Sequence, residues 1–486
     1  MNGGKCMKKR TGFRIFASFL ALVFFLLSFS ACAVKVKNSD FFLDYSLKQS
    51  AVFRDSDGNE VKPKFSGKDG DYIDITFSEP VNVNTLVLYE KGDNITAFEI
   101  FANRNGSFES IYKQDKVGEF RYCAFNPEMT TALRLQIQKT RDGSFSLNDI
   151  DVLNAVHTRT SFGVTAYAVT DTILSPDSID PTHLQVISDF ILFGAVTFDE
   201  TGKLSYNEFT LDGKTISGQD ALKTAIANIR AVESSSEPAI YINLLGPDGD
   251  VDTKEEKHNQ VFEEHADTLI AEIQNLLNTF DVDGVAFDYE YPYKNSGWKA
   301  YSKFLVALDK AIPDKKISIS LAPWGGKLTD DAKAAVDNYE WMSYDLFDDD
   351  GYHAPFSVAT DTADFLNSNG YDLEKSALGL PFYGRPTDKS EIWTNYYECA
   401  ERLGKYGNLD TAPLKTTLLE GGETTEETVT TPRYLNSYQM VFDKAAFAYD
   451  YGFSGMMVWH YACDAKADTG LSLFEAIAEA ILSRQP

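Results

Sequence analysis

Cysteine is scarce in this chain, with five in 486 residues. Cys6 and Cys32 belong to the N-terminal leader described below, which leaves Cys123, Cys399 and Cys463. Three scattered thiols make neither a disulfide framework nor a metal motif. No zinc site is visible, and neither is a glycine-rich phosphate loop, so no cofactor or metal is implied. Positive charge is also in short supply. Lys and Arg number 45 against 72 Asp and Glu, for a net charge of −27. That argues against nucleic acid as a partner and against a basic helix lying on a membrane. It fits a protein acting on neutral or cationic material. Apolar residues are plentiful, at 43% hydrophobic and 13% aromatic, so large cores are expected and wholesale disorder is not. A chain of this length holds two or three domains.

The first residues read as an address. Lys8, Lys9, Arg10 and Arg14 precede the apolar run "IFASFLALVFFLLSFSA", which ends at Cys32. The run is short for a spanning helix and closes on small residues, as a signal peptide does. "FSAC" resembles a bacterial lipobox, in which the cysteine is lipidated and becomes the mature N-terminus, although Phe29 replaces the more usual Leu. Residues 1–31 are therefore expected to be a signal peptide and Cys32 the lipidation site. The protein is expected at the bacterial cell surface or outside the cell, touching the membrane only through that anchor. A plain secretory signal cut nearby is the alternative.

Two grammars follow. From 41 to about 155 short alternating segments ("YIDITF", "NTLVLYE", "FEIFANR", "FRYCAF", "LRLQIQK") are separated by turn residues, which is the pattern of an all-β sandwich. Its last strands resemble those of discoidin-like (galactose-binding-like) jelly rolls, whose loops often bind sugar; a plain spacer or packing domain is the alternative. From about 160 to 486 strands alternate with helices. Eight strand candidates are "SFGVTAYAV", "DFILFGAVTF", "AIYINLLG", "GVAFDYE", "ISISLAPW", "WMSYD", "SALGLPFYG" and "GFSGMMVWHY". Eight β/α units predict a closed (β/α)8 TIM barrel, with an open doubly wound sheet as the other possibility. "VFEEHADTLIAEIQNLLNTF" (261–280) predicts one amphipathic helix burying Phe262, Ala266, Leu269, Ile273, Leu276, Leu277 and Phe280. "EGGETTEETVTT" (420–431) reads as a solvated loop.

The fourth strand poses the chemical question. In "GVAFDYE" the residues Ala286, Asp288 and Glu290 share one face, and Val285, Phe287 and Tyr289 share the other. In a barrel the first face points into the lumen. Glu290 then lies at the strand's C-terminal end, where barrel enzymes hold their chemistry. A buried carboxylate is costly unless it is paired. No other strand offers an obvious inward cation except near Arg385, so chemistry explains the acids better than an internal ion pair.

Here the sequence resembles a known family. "DGVAFDYE" is similar to the D-G-x-D-x-D-x-E signature of glycoside hydrolase family 18, which includes the chitinases. "MSYD" (342–345), "GLPFYGR" (379–385) and "GMMVWHY" (455–461) are similar to its sixth-, seventh- and eighth-strand motifs. The resemblance implies retaining hydrolysis of β-1,4 bonds next to N-acetylglucosamine, with the sugar's own acetamido oxygen as nucleophile. By that analogy Glu290 is the general acid, and Asp288 holds the acetamido N–H. Tyr344 and Asp345 contact the acetamido group and the distorted sugar, and Trp459 forms the floor. Tyr383, Arg385 and Asp283, the first acid of the motif, are weaker substrate-side candidates. The partner is an N-acetylglucosamine polysaccharide or oligosaccharide, and a monomer is expected. Chitin fits "MSYD" best; the N-glycan chitobiose core, peptidoglycan and a non-catalytic sugar-binding barrel stay open. Two departures stand out. Ala286 occupies the place of the usual inner Asp, so altered pH dependence is expected. "YINLLGPDG" replaces the usual S-x-G-G of strand three. His460 is given no role. Trp393, Tyr396 and Tyr397, in the insertion after strand seven, either wall a cleft or pack.

Overall fold

The computed structural model describes residues 46–486, apart from 160, 212, 235, 236, 421 and 422. The expected signal peptide and the Cys32 anchor lie outside the described residues. No described helix is long and apolar enough to cross a membrane.

The N-terminal region is an all-β sandwich of antiparallel strands. Segments that look separate in sequence are halves of single bent strands. "YIDITF" and "NTLVLYE" lie on Tyr72–Glu90, and "FRYCAF" and "LRLQIQK" lie on Arg121–Thr140. The two pair along nearly their whole length, from Tyr72 opposite Gln136 to Leu88 opposite Arg121, with register breaks near Thr76–Val81 and Val83–Thr85. At such irregularities a ribbon can bend. One half then pairs with Val52–Asp55 and Ile95–Arg104, and the other with Ser144–Leu153. Alternation decides the faces. Ile73, Ile75, Leu133 and Leu135 enter the core, while Asp74 and Arg134 between them form a two-pronged ion pair outside.

The second region is a closed barrel of eight parallel strands. In chain order these are Gly163–Val169, Asp189–Phe198, Ala239–Leu245, Gly284–Phe287, Lys316–Leu321, Asn338–Trp341, Ser376–Pro381 and Gly455–Trp459. Strand one pairs with both strand two and strand eight, which closes the ring. All eight anticipated strands are present. The faces also follow the alternation. Val285 and Phe287 pack among the helices, and Ala286 joins Tyr167, Tyr241, Met342, Tyr344 and Met457 inside the lumen.

Helix ends follow local chemistry. Ser217, Asp250 and Ser437 accept N–H groups of the first turns they precede. Gly452 closes the helix Tyr438–Tyr451 at φ 100°, where a side chain would be strained. Two expectations fail. The single helix over 261–280 is two helices, Val251–Glu264 and Ala266–Phe280, broken at His265, although Phe262 and the later apolar residues are buried as expected and only Ala266 is half-covered. The supposed loop at 420–431 is largely one arm of a β-hairpin, Leu414–Glu420 paired with Glu423–Val429.

Sandwich and barrel share an interface built on the helix Tyr438–Tyr451. All 14 of its residues are buried, because the barrel takes one side and the sandwich the other. Asp443 accepts from Arg121 Nη2 (2.7 Å), Tyr112 Oη (2.7 Å) and the Ala124 N–H (3.0 Å), all on sandwich strands. Arg484 Nη2 donates to Thr85 Oγ1 at 2.9 Å, and Asn84 Nδ2 donates to the carbonyls of Ala155 and Ser483. Tyr122, Ala124, Val87 and Leu153 of the sandwich belong to the same continuous apolar core as the barrel helices.

Candidate active site

Strand four ends at Phe287, and the chain then carries Asp288, Tyr289 and Glu290 out of the barrel mouth. Tyr289 fixes this exit. Its ring lies flat on His258 (3.9 Å between centroids, 1° between planes) and edge-on to Tyr301. With Tyr289 held outside, Asp288 faces inward, half-buried, and Glu290 keeps exposed surface while its carboxyl is surrounded by the mouth. Asp288 Oδ1 is buried without a hydrogen-bond partner among the described residues. Burial raises the Asp288 pKa well above the usual carboxylate range, with the Glu290 charge adding to it and Lys254 opposing. The Glu290 carboxyl is also raised, by burial first, with Lys254 opposing and Asp345 adding. Two neighbouring carboxyls whose pKa values are both pushed upward are the setting of proton-transfer chemistry.

"MSYD" lies just beyond strand six. Tyr344 stands in the lumen, buried, its hydroxyl 3.9 Å from Met457 Sδ, and burial drives its phenol pKa upward. Gly379 of strand seven makes room for this turn, since a Cβ there would fall 2.1 Å from the Trp341 carbonyl and 3.1 Å from the Tyr344 ring. Asp345 takes the left-handed backbone at φ 57°. Its Oδ1 accepts from Arg385 Nη1 at 2.9 Å, and His353 Nε2 lies 3.1 Å from both that oxygen and the Asp345 nitrogen. Burial opposes ionisation of Asp345, but His353, Arg385 and the Tyr383 hydroxyl together hold its carboxyl below the usual value. Trp459 closes strand eight, half-buried, edge-on to Phe193 (4.9 Å) and against Tyr167 (5.4 Å).

The structure thus gathers Asp288, Glu290, Tyr344, Asp345, Tyr383, Arg385 and Trp459 at the C-terminal ends of strands four, six, seven and eight. Asp283 is not among them. It sits at the opposite end of strand four, where its carboxylate accepts the Ile240 N–H at 2.8 Å. Seven residues before Glu290, it is a strand-start anchor, and its expected place in substrate binding is withdrawn. In the insertion, Tyr396 is buried and its hydroxyl donates to the Leu471 carbonyl, so it packs. Trp393 meets Tyr383 edge-on (4.6 Å) and stays partly exposed, as does Tyr397. His460 is buried beside Cys463, and burial lowers it to about 4, so it is neutral.

Three residues escaped the sequence reading. Lys254, on the helix after strand three, brings its ammonium to the Glu290 carbonyl (3.4 Å), within electrostatic reach of both acids. His353 lies eight positions after Asp345 and returns through a hairpin. Glu340 of strand six lies in the lumen, where its Oε1 accepts from Ser318 Oγ (3.1 Å) and Thr165 Oγ1 (3.4 Å). Burial raises it to about 8. Its inward parity with Tyr344 was the one available sign. Nearby, Asn243 of strand three stands opposite Ala286, buried, with neither amide atom bonded among the described residues.

Comparison with known proteins agrees with this fold. The model of glycosyl hydrolases family 18 matches residues 189–464. None of the curated proteins matches the chain. Among solved structures, a family 18 chitinase from the chitin utilization locus of Flavobacterium johnsoniae is 20% identical with a TM-score of 0.51, over 66% of this chain and 94% of its own. A chitinase from Bacteroides thetaiotaomicron is 17% identical at 0.50, over 67% and 97%. A chitinase-like agglutinin from Robinia pseudoacacia is 16% identical at 0.50, over 65% and 98%. At such identities these likenesses speak for the fold alone.

Proposed function

Because this chain belongs to glycosyl hydrolase family 18, we propose that it hydrolyses β-1,4 bonds next to N-acetylglucosamine in chitin-like oligosaccharides, by substrate-assisted retention of configuration. The observation that carries the reading is the pair Asp288 and Glu290. Burial at the strand end favours the protonated form of Glu290, and Asp288 Oδ1 stands buried with no donor on it among the described residues. An acetamido N–H on the substrate would supply that donor. Asp288 would then aim the acetamido carbonyl oxygen at the anomeric carbon. As that C–O bond forms, the glycosidic C–O bond breaks and the Glu290 proton passes to the leaving oxygen. The resulting oxazolinium is stabilised by Asp288. Glu290, now a carboxylate, takes a proton from the water that reopens the ring and yields the β-anomer.

The pairing of Asp345 supports this route over an enzyme nucleophile. A carboxylate held by Arg385 and His353 is a poor candidate for covalent attack on the sugar. Trp459 would floor the reacting sugar, and Tyr344 would bond its acetamido group. The leader ending at Cys32 supports a lipid-anchored enzyme at the bacterial surface. The N-glycan core and peptidoglycan are the competing substrates.

The test is parallel digestion of N-acetylglucosamine oligomers, a glycoprotein and peptidoglycan, with products identified by mass and the first anomer by NMR. A thiazoline should inhibit, and fully deacetylated chitosan should resist. Efficient cleavage of that chitosan, or trapping of a covalent glycosyl–Asp345, would refute the mechanism.

A further inference from the structure

The hairpin that follows Asp345 reaches across to the other domain. Residues 345–354 double back on themselves. The Ala354 N–H donates to the Leu346 carbonyl (2.7 Å), Phe347 bridges to His353, and the Asp348 N–H donates to the Tyr352 carbonyl (3.2 Å). At its base stand Asp345 and His353. At its tip stand Asp348 and Asp350. The tip is held by sandwich residues far away in sequence. Lys116 Nζ lies 3.0 Å from Asp348 Oδ2 and 2.8 Å from Asp350 Oδ2, and Asp93 of the sandwich completes its shell at 3.0 Å. Arg141 grips Asp350 with two nitrogens, at 2.8 and 2.5 Å, and its Nε donates to the Asp93 carbonyl at 2.8 Å.

The base is fixed from the shared interface as well. Lys444, on the helix buried between the domains, donates to the Ala354 carbonyl at 2.8 Å, and Asn436 donates to the same carbonyl at 3.2 Å. The tip has little freedom against the barrel either. A Cβ on Gly351 would fall 2.0 Å from the Thr387 carbonyl.

We propose that the sandwich is a working part of the active site: Lys116 and Arg141 grip the hairpin tip and so hold its base, with Asp345 set against Arg385, in the arrangement the reaction needs. The inference rests on the glycosidase reading above for its catalytic half. Three features separate this contact from ordinary domain docking. The gripped acids belong to the same short hairpin as a site carboxylate. Its two arms are hydrogen-bonded to each other, so a displacement of the tip is transmitted to the base. The side chain of Lys116 is only 14% exposed and that of Asp348 17%, so water screens this pair less than an open surface bridge, and the Arg141–Asp350 contact adds two-pronged geometry. Lys116 and Arg141 are positioning residues, because neither touches the mouth itself.

The experiment compares the full chain with Lys116→Ala/Arg141→Ala. A barrel-side variant, Asp348→Asn/Asp350→Asn, keeps shape and removes charge. Arg134→Ala, which breaks an ion pair confined to the sandwich, is the control. Hydrogen exchange over 346–354 should accelerate in both double variants and not in the control. On N-acetylglucosamine oligomers kcat should fall about 10- to 100-fold, the size of effect a shift of order 1 Å produces, with KM little changed. Lys116→Arg/Arg141→Lys should restore most of it. Unchanged exchange in the hairpin overturns the grip. Faster exchange with unchanged kcat overturns its catalytic purpose. If the wild type cleaves no N-acetylglucosamine glycan, the glycosidase reading fails and takes the catalytic half with it, while exchange still judges the grip.

Discussion

Asp443→Ala tests whether sandwich and barrel unfold as one body. Asp443 is wholly buried, and its carboxylate accepts four bonds: from Arg121, Tyr112, the Ala124 N–H and Gln439. Burial raises it to about 6, with Arg121 opposing, so it is mainly ionised at pH 7. Alanine would leave the Arg121 guanidinium, 2% exposed, without its carboxylate partner, beside Tyr112 Oη at 3.3 Å, Met440 Sδ at 3.4 Å and the Phe356 ring at 5.0 Å, with Asp115 within electrostatic reach. Stranding one partner of a buried pair costs about 3–5 kcal/mol.

What that cost does to Tm depends on what melts. At about 2.1 cal/mol/K per residue, cooperative unfolding of some 440 residues carries about 0.9 kcal/mol/K, so Tm should fall by about 3–5 °C. A sandwich of about 110 residues melting alone carries about 0.23 kcal/mol/K, and its transition would fall by about 13–22 °C. Two probes distinguish the cases. All five tryptophans (Trp298, Trp324, Trp341, Trp393 and Trp459) lie in the barrel, so their fluorescence is blind to the sandwich, while far-ultraviolet circular dichroism sees both. Coincident transitions shifted by a few degrees are expected at pH 7. A shift under about 1 °C, or a fluorescence-silent step moving by more than 10 °C, would refute the reasoning. Replacing the pair as Arg121→Met/Asp443→Leu should recover part of the loss, since the guanidinium is no longer stranded, while the Ala124 N–H and Tyr112 Oη still lack the acceptor Asp443 gave them.

Glu290→Gln should lower kcat by a factor of 10²–10⁴, the range for losing a general acid, with an unchanged melting curve; near-wild-type turnover on an unactivated oligomer would remove Glu290 from the role. Glu340→Gln addresses pH. The folded-state pKa of Glu340 is raised to about 8 from an ordinary value near 4.3, so ionising it weakens the fold progressively between those values and fully above them. The variant should therefore gain stability over the wild type at pH 9 and gain little at pH 4, as read by denaturant midpoints at the two pH values; equal gains would show that Glu340 ionises normally. Deleting the sandwich should leave the barrel insoluble or molten, because Asp443 loses its partners and the outer side of the helix Tyr438–Tyr451 is uncovered. A soluble, active barrel from residue 156 onward would contradict the shared interface.

The sequence alone determined what depends on local periodicity. A strand alternates with period two, so Ala286, Asp288 and Glu290 had to share a face, and eight apolar strand segments separated by helical stretches had to be covered by those helices. The motifs at the strand ends placed Tyr344, Asp345, Arg385 and Trp459 at one rim, because parallel strands in a closed barrel all end on the same side. The same locality misled where spacing was counted without direction. Asp283 belongs to the motif in sequence but sits at the strand's other end, about 3.3 Å per residue away from the chemistry. A solvated-looking run at 420–431 pairs as a hairpin, since backbone hydrogen bonds there do not require an apolar pattern.

Only the tertiary structure decided the rest, because it depends on residues far apart in the chain meeting. Lys254 approaches Glu290 from 36 positions away, Lys116 reaches Asp350 across 234, and Arg121 meets Asp443 across 322. A charged side chain in a sequence carries no mark of its partner. Its energy is set by burial and by the geometry of whatever the fold brings against it, so the same lysine or aspartate is a solvated surface group in one fold and a fixed element of the site in another.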